Sequence, residues 1–178
     1  MKSIIAISKK LRNLASKVAK LIIIFMMAVM SVVIIIQVYV RYVAKGSFPW
    51  SEELARYLMA WVAFLGSSLG IETGAHVGVE LFVNLLPKRL RIGVKVIIKL
   101  AMLAFLAAAI KESYSLCLGV ASQLSPAIRI PMVWPYLSVP VGCVFMFIQL
   151  LPSFLEDLSD LVGTSIVVSP GRVAEDHL

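Results

Sequence analysis

Little that catalysis is built from occurs in this 178-residue sequence. There are two histidines, His76 and His177, and two cysteines, Cys117 and Cys143. No metal-ligand cluster, glycine-rich phosphate loop or Ser-His-Asp set can be assembled from them. A haem in a helical bundle normally takes axial ligands from facing helices. Only His76 stands near an apolar segment, and His177 is the penultimate residue of a polar tail. These shortages leave no catalytic residue and no cofactor to expect, so the chain reads as something other than an enzyme. Both cysteines sit in apolar surroundings and are expected as buried small hydrophobes, not as a disulfide or a metal site.

Charge is also scarce. Charged residues make up 15% of the chain, against about a quarter in a soluble domain. Hydrophobic residues make up 60%, arranged in long runs with a mean hydropathy of +0.94. The fold class expected is an all-α integral membrane protein. A net charge of +7 would point to nucleic acid in a soluble protein. Here no basic soluble domain exists to carry that role, and no nucleic-acid partner is expected. The excess belongs instead to basic cytoplasmic segments.

Four runs can each supply the roughly 20 helical residues that a bilayer core of about 30 Å requires. They lie at about 18–40, 54–71, 92–119 and 132–155, and together form a membrane domain over 18–155. Residues 1–17 form a basic leader, and 156–178 a polar tail expected to be poorly ordered. The first apolar run is too long for a signal-peptide core, and no small-x-small cleavage site follows it, so it reads as a retained anchor. In the third span only 11 residues separate Lys99 from Lys111. The helix is therefore expected to continue past Lys111 and Glu112 toward Gly119 as a tilted, overlong span, the alternative being that this pair lies within the membrane against a partner protein. Between the second and third spans, Val79, Phe82, Val83 and Leu86 fall at helical spacing, as in a short amphipathic helix lying on the inner surface. Twelve of the 17 Lys and Arg residues fall in 2–20, in 88–99 and in the tail. The positive-inside rule then places both termini in the cytoplasm.

Three groups of residues ask for a role. Ser51, Glu52, Glu53 and Arg56 open the second span in WSEELAR. Adjacent carboxylates point about 100° apart on a helix, a poor arrangement for a shared-proton pair. They suit a helix start better: Ser51 as N-cap, two acids against the macrodipole, and Arg56 within reach of both. Phe48, Trp50 and Tyr57 supply an aromatic belt at the same level. Gly66, Gly70 and Gly74 recur every fourth residue, a small-residue stripe suited to close helix packing within the bundle or against another subunit. Lys88, Arg89, Arg91, Lys95 and Lys99 form a basic group at the inner boundary. Arg91, Lys95 and Lys99 make one helix stripe whose stems can snorkel to lipid headgroups. Beyond the third span, Pro126, Pro131, Pro135 and Pro140 imply a stiff connection, with Pro135 opening the last helix and Pro140 kinking it.

Four stretches carry a resemblance to a known family. They are WSEELARYLMAW at 50–61, the G-x-H-x-x-V-E-L pattern at 74–81, LPKRLR at 86–91, and SPAIRIPMVWPYLSVPVG at 125–142. In this order, within four spans, the chain resembles the small membrane subunit (DctQ-like) of tripartite ATP-independent periplasmic, or TRAP, transporters. It departs from the family's pattern at Glu80, where an aspartate is common, and at Arg129, where a small residue is common. The resemblance implies an accessory scaffold subunit in sodium-coupled uptake of organic acids. The partners it implies are a large permease subunit, a periplasmic substrate-binding protein and membrane lipid. The substrate and ion sites would lie in the large subunit. Ser51, Glu52, Glu53, Arg56 and Arg129 would then line a periplasmic rim. Two other readings stand beside this one: a membrane anchor of a redox complex, and a small homodimeric exporter with the glycine stripe as its seam.

Overall fold

The computed structural model describes residues 2–46, 48–72 and 88–167. Within them are four long helices and one helical turn: α1 Lys2–Tyr42, α2 Pro49–Glu72, α3 Lys88–Gly119, α4 Val133–Tyr136 and α5 Ser138–Val167. All four long helices are long and apolar enough to cross a membrane. The short amphipathic helix expected around Val79–Leu86 falls outside the described residues, as do Gly74 and His76.

The bundle is organised around α5, which packs against α1, α2 and α3, while among the described elements α1 meets α2 and α5. Its core joins Leu103 and Leu106 of α3 to Cys143 and Leu150 of α5, with Ile71, Met146, Phe147 and Phe154 against them. One glycine sets the closeness of the α2–α5 crossing. A Cβ on Gly142 would stand 2.5 Å from the Phe64 Cβ and 3.1 Å from its carbonyl carbon, so only glycine fits. Close backbone approach at a small residue is the usual way helices associate where the surroundings are as apolar as the side chains. Gly66, in the expected glycine stripe, has nothing within 4 Å of where its Cβ would be. Among the glycines so described, Gly142, which sequence reading did not single out, makes a close contact between helices and Gly66 does not.

Several element bounds differ from expectation for simple reasons. α1 contains no proline or glycine, so nothing interrupts it between the leader and the span, and both form one helix. α5 likewise runs on to Val167 through 156–167, where the polar tail was expected to begin. Lys9 of the leader pairs with Glu156 of α5 at 2.5 Å, tying these two extensions together. Pro135 lies in the α4 turn, and α5 restarts at Ser138, whose hydroxyl donates to the Pro135 carbonyl at 2.7 Å. Pro140 therefore occupies the first turn of α5, where its missing N–H is no loss. The proline inside the helix is Pro152, which is fully buried. α3 passes unbroken through Lys111 and Glu112, whose exposed side chains stand 3.9 Å apart.

A buried polar contact also crosses from α2 to α5. The Gln149 side-chain amide donates to Ser68 Oγ at 3.2 Å, and Ser68 donates to the Leu65 carbonyl at 2.7 Å. In an apolar medium such a pair fixes which helix faces meet, even though its net energy is modest.

Candidate functional site: a clamped rim loop

The topology brings the α1–α2 and α3–α4 connections to one end of the bundle. The α2 helix begins at Pro49, whose fixed φ suits a first helical position. This corrects the reading of Ser51 as N-cap. Ser51 is already inside the helix, 2% exposed, and its hydroxyl donates back to the Phe48 carbonyl at 2.7 Å. The two acids that follow have separate fates. Glu52 pairs with Arg56 across one turn at 3.7 Å, both side chains about two-thirds exposed, a surface contact of little energetic weight. Glu53 turns the other way, toward the 120–132 connection.

That connection is a miniature hairpin. Leu124 and Pro131 form an antiparallel bridge. The Ser125 N–H donates to the Ile130 carbonyl, and the Met132 N–H to the Gln123 carbonyl, both at 2.9 Å. The tip, Pro126 to Arg129, leaves the N–H groups of Ala127 and Ile128 to be satisfied. Both donate to Glu53 Oε2 at 2.9 Å. The other carboxylate oxygen accepts the Tyr57 hydroxyl. Tyr57 also lies 3.4 Å from Met132 Sδ, and Trp61 Nε1 donates to the Trp134 carbonyl at 3.2 Å. Glu53, Tyr57 and Trp61 stand at i, i+4 and i+8, one face of α2. A carboxylate accepting two backbone N–H groups makes charge-assisted bonds, stronger than neutral ones and fixed in direction. The spacing of WSEELARYLMAW thus has a physical purpose: three side chains on one helix face hold the SPAIRIPMVWP loop.

Arg129 closes the tip with φ 61°. A left-handed conformation costs a non-glycine residue about 1–2 kcal/mol, so the loop retains a strained, exposed cation where glycine would rest more easily. Beside the clamp, Gln37, Arg41, Gly46, Phe48, Pro49 and Glu52 line a polar cleft of about 220 Å³ between α1 and α2. Of the five rim residues named from sequence, the structure brings Glu53 and Arg129 to the same loop. Glu52 and Arg56 form a neighbouring surface pair, and Ser51 is buried. Tyr57, Trp61 and Ser125 were not singled out as site residues. The i, i+4, i+8 spacing of Glu53, Tyr57 and Trp61 was the available signal.

At the opposite end, Lys99 does not point to headgroups as expected. Its ammonium stands 2.6 Å from Asp157 Oδ2, 2.5 Å from Ser153 Oγ and 3.2 Å from the Ser153 carbonyl, about four-fifths buried. An acid was available two residues beyond the fourth apolar run, and an inward ion pair is better than an unpaired charge near lipid. Lys95 and Arg91 are half-buried. The side chains of Lys88 and Arg89 lie outside the described residues. Among those residues, no group of three or more His, Cys, Asp or Glu side chains could hold a metal ion.

Comparison with known proteins decides what this architecture is. Residues 30–160 match the family model described as tripartite ATP-independent periplasmic transporters, DctQ component. The chain belongs to this family. Among curated DctQ relatives, it is 28% identical to the sialic acid TRAP transporter small permease protein SiaQ of Vibrio cholerae, over 88% of this chain and 91% of that one. It is 32% identical to the C4-dicarboxylate TRAP transporter small permease protein DctQ of Rhodobacter capsulatus, over 57% of this chain and 46% of that one. It is 29% identical to the isethionate TRAP transporter permease protein DctMQ of Oleidesulfovibrio alaskensis, over 57% of this chain but only 16% of that much longer one. The protein is therefore a small TRAP permease subunit, a transporter component and not an enzyme, and a multi-pass protein of the bacterial inner membrane. Membership sets aside the redox-anchor and exporter readings.

Proposed function

We propose that this small subunit is a scaffold for a large TRAP permease subunit, and that its clamped loop forms part of the surface on which the periplasmic substrate-binding protein docks. Both termini then lie in the cytoplasm and the clamped rim in the periplasm, as the distribution of Lys and Arg favours. The relatives' names support an anionic substrate class, since sialic acid, C4-dicarboxylates and isethionate are all organic acids. The transporter is a secondary, sodium-coupled uptake system, a reading that rests on the family resemblance. A large permease partner fits a relative named DctMQ, in which a region like this chain is one part of a much longer permease protein.

One observation carries the docking role. Glu53 satisfies two backbone N–H groups at the tip of an exposed loop. A loop held this firmly, with a strained arginine at its tip, is built to present a shape. The experiment is uptake by cells carrying all three components, comparing Glu52→Lys with Glu53→Lys. Uptake is expected to fall sharply for Glu53→Lys and little for Glu52→Lys. Equal, near-parental uptake in both would overturn the docking role.

A further inference from the structure

The leader half of α1 carries an apolar seam that stays exposed among the described residues. Ile7, Leu11, Leu14, Val18 and Leu21 are spaced alternately by four and three residues, the heptad pattern of a helix that pairs with another helix. Ile7, Leu11, Leu14 and Val18 are 69%, 48%, 59% and 40% exposed. The same register continues through Phe25, Val32, Ile35, Tyr39 and Tyr42, all exposed. In the apolar span this has no force, because nearly every outward position there is apolar, Ser31 being the exception. In the leader it does, because polar residues share the helix and are kept off the seam.

Positions flanking the seam are also sorted. On one side Ser8 and Ala15 are buried against this chain's own bundle, together with Ser16 and Ala19. On the other side stand Lys10 and Lys17, both exposed, at the place where paired helices set partner choice by charge.

On an upright helix lipid does not reach this seam along its length. Residues 21–40 already span about 30 Å, the thickness of the hydrocarbon core. Ile7 and Leu11 lie about 21 Å and 15 Å further along the axis, whereas headgroups add only about 5–8 Å on each side. With residue 40 held at the outer edge, a 40° tilt leaves Ile7 about 8 Å beyond the core, at the far limit of the headgroups. A second copy of this chain is a poor partner too. No acidic residue precedes Glu52 in the sequence, so two leaders would bring lysines against lysines.

We infer that the α1 seam docks a helix of the large permease subunit, one that continues out of the membrane carrying acidic side chains opposite Lys10 and Lys17. This rests on the scaffold reading above and assigns that partner a surface. The test uses the full chain, tagged and co-expressed with its large subunit, and measures how much large subunit is recovered. Leu11→Gln with Leu14→Gln should lower recovery at least about tenfold while the small subunit stays in the membrane at parental amounts. Lys10→Glu with Lys17→Glu should lower recovery at low salt, and Asn13→Gln, off the seam, should not. Parental recovery with both paired variants would overturn the seam. So would efficient Leu14→Cys disulfide formation between two small subunits, or recovery that follows anionic lipid content and not these substitutions. If the parent chain itself recovers no large subunit, the scaffold reading fails instead.

Discussion

Replacing Gly142 with alanine tests the α2–α5 crossing on which the rim is built. The added Cβ would stand 2.5 Å from Phe64 Cβ, with Phe64 backbone atoms at 3.1 and 3.2 Å. Relief requires the two helices to part by about 1 Å, since ordinary carbon contacts lie near 3.5–4.0 Å. Overpacking against backbone falls at the upper end of its range, about 3 kcal/mol. Alanine's better helix propensity returns about 1 kcal/mol. The net loss of about 2 kcal/mol corresponds to a midpoint lower by about 4–8 °C for a chain of this size. The molecule carries its own reporters: Cys143, next to Gly142, and Cys117 are free and buried. A thiol-reactive dye followed during heating in detergent reads their exposure. Gly66→Ala is the internal control, because open space surrounds that position, and its midpoint should stay level or rise. A Gly142→Ala midpoint equal to the parent's, or an equal fall for Gly66→Ala, would refute the assignment of the close contact.

Other expectations concern the two ends of the bundle. Lys99→Met leaves Asp157 mostly buried without its cation and should destabilise, by less than the about 3–5 kcal/mol of a fully buried pair. Adding Asp157→Leu should restore much of the loss in the same thermal assay. Tyr57→Phe removes one donor to Glu53 but leaves both loop N–H bonds, so protease cleavage within 125–131 should rise less than for Glu53→Ala. Arg129→Gly should relieve about 1 kcal/mol of backbone strain and leave the fold intact while weakening uptake, measured as transport by the three-component system. Tagging α1 ahead of its seam should leave the rim intact, read as unchanged protease resistance of the loop.

Much of the fold was legible because bilayer thickness and apolar run length are directly comparable quantities. Four runs of sufficient length led to four spanning helices, and the hydrophobic pattern needed no tertiary information. Helix ends were less legible. The leader joins α1 because a chain without proline or glycine has no reason to stop, and its polar side chains are compatible with a helix outside lipid. The site was half legible. Glu52 and Glu53 look alike in sequence, and only the fold shows that one faces solvent while the other reaches two N–H groups more than 70 residues away. Gly142 was hidden for a related reason: a lone glycine in an apolar helix has no periodicity, whereas Gly66 belongs to a conspicuous repeat yet has open space where its Cβ would be. Lys99 was misplaced because a basic stripe reads as headgroup-facing until Asp157 and Ser153 are known to lie across from it.

The most direct test of the clamp is a titration of binding protein against proteoliposomes holding both membrane subunits, with uptake as the readout. If Glu53 shapes the docking loop, Glu53→Ala will require at least several-fold more binding protein for half-maximal uptake. The rate at saturation will be close to the parent's, and Glu52→Ala will follow the parent throughout. An unchanged half-maximal concentration for Glu53→Ala would contradict the account.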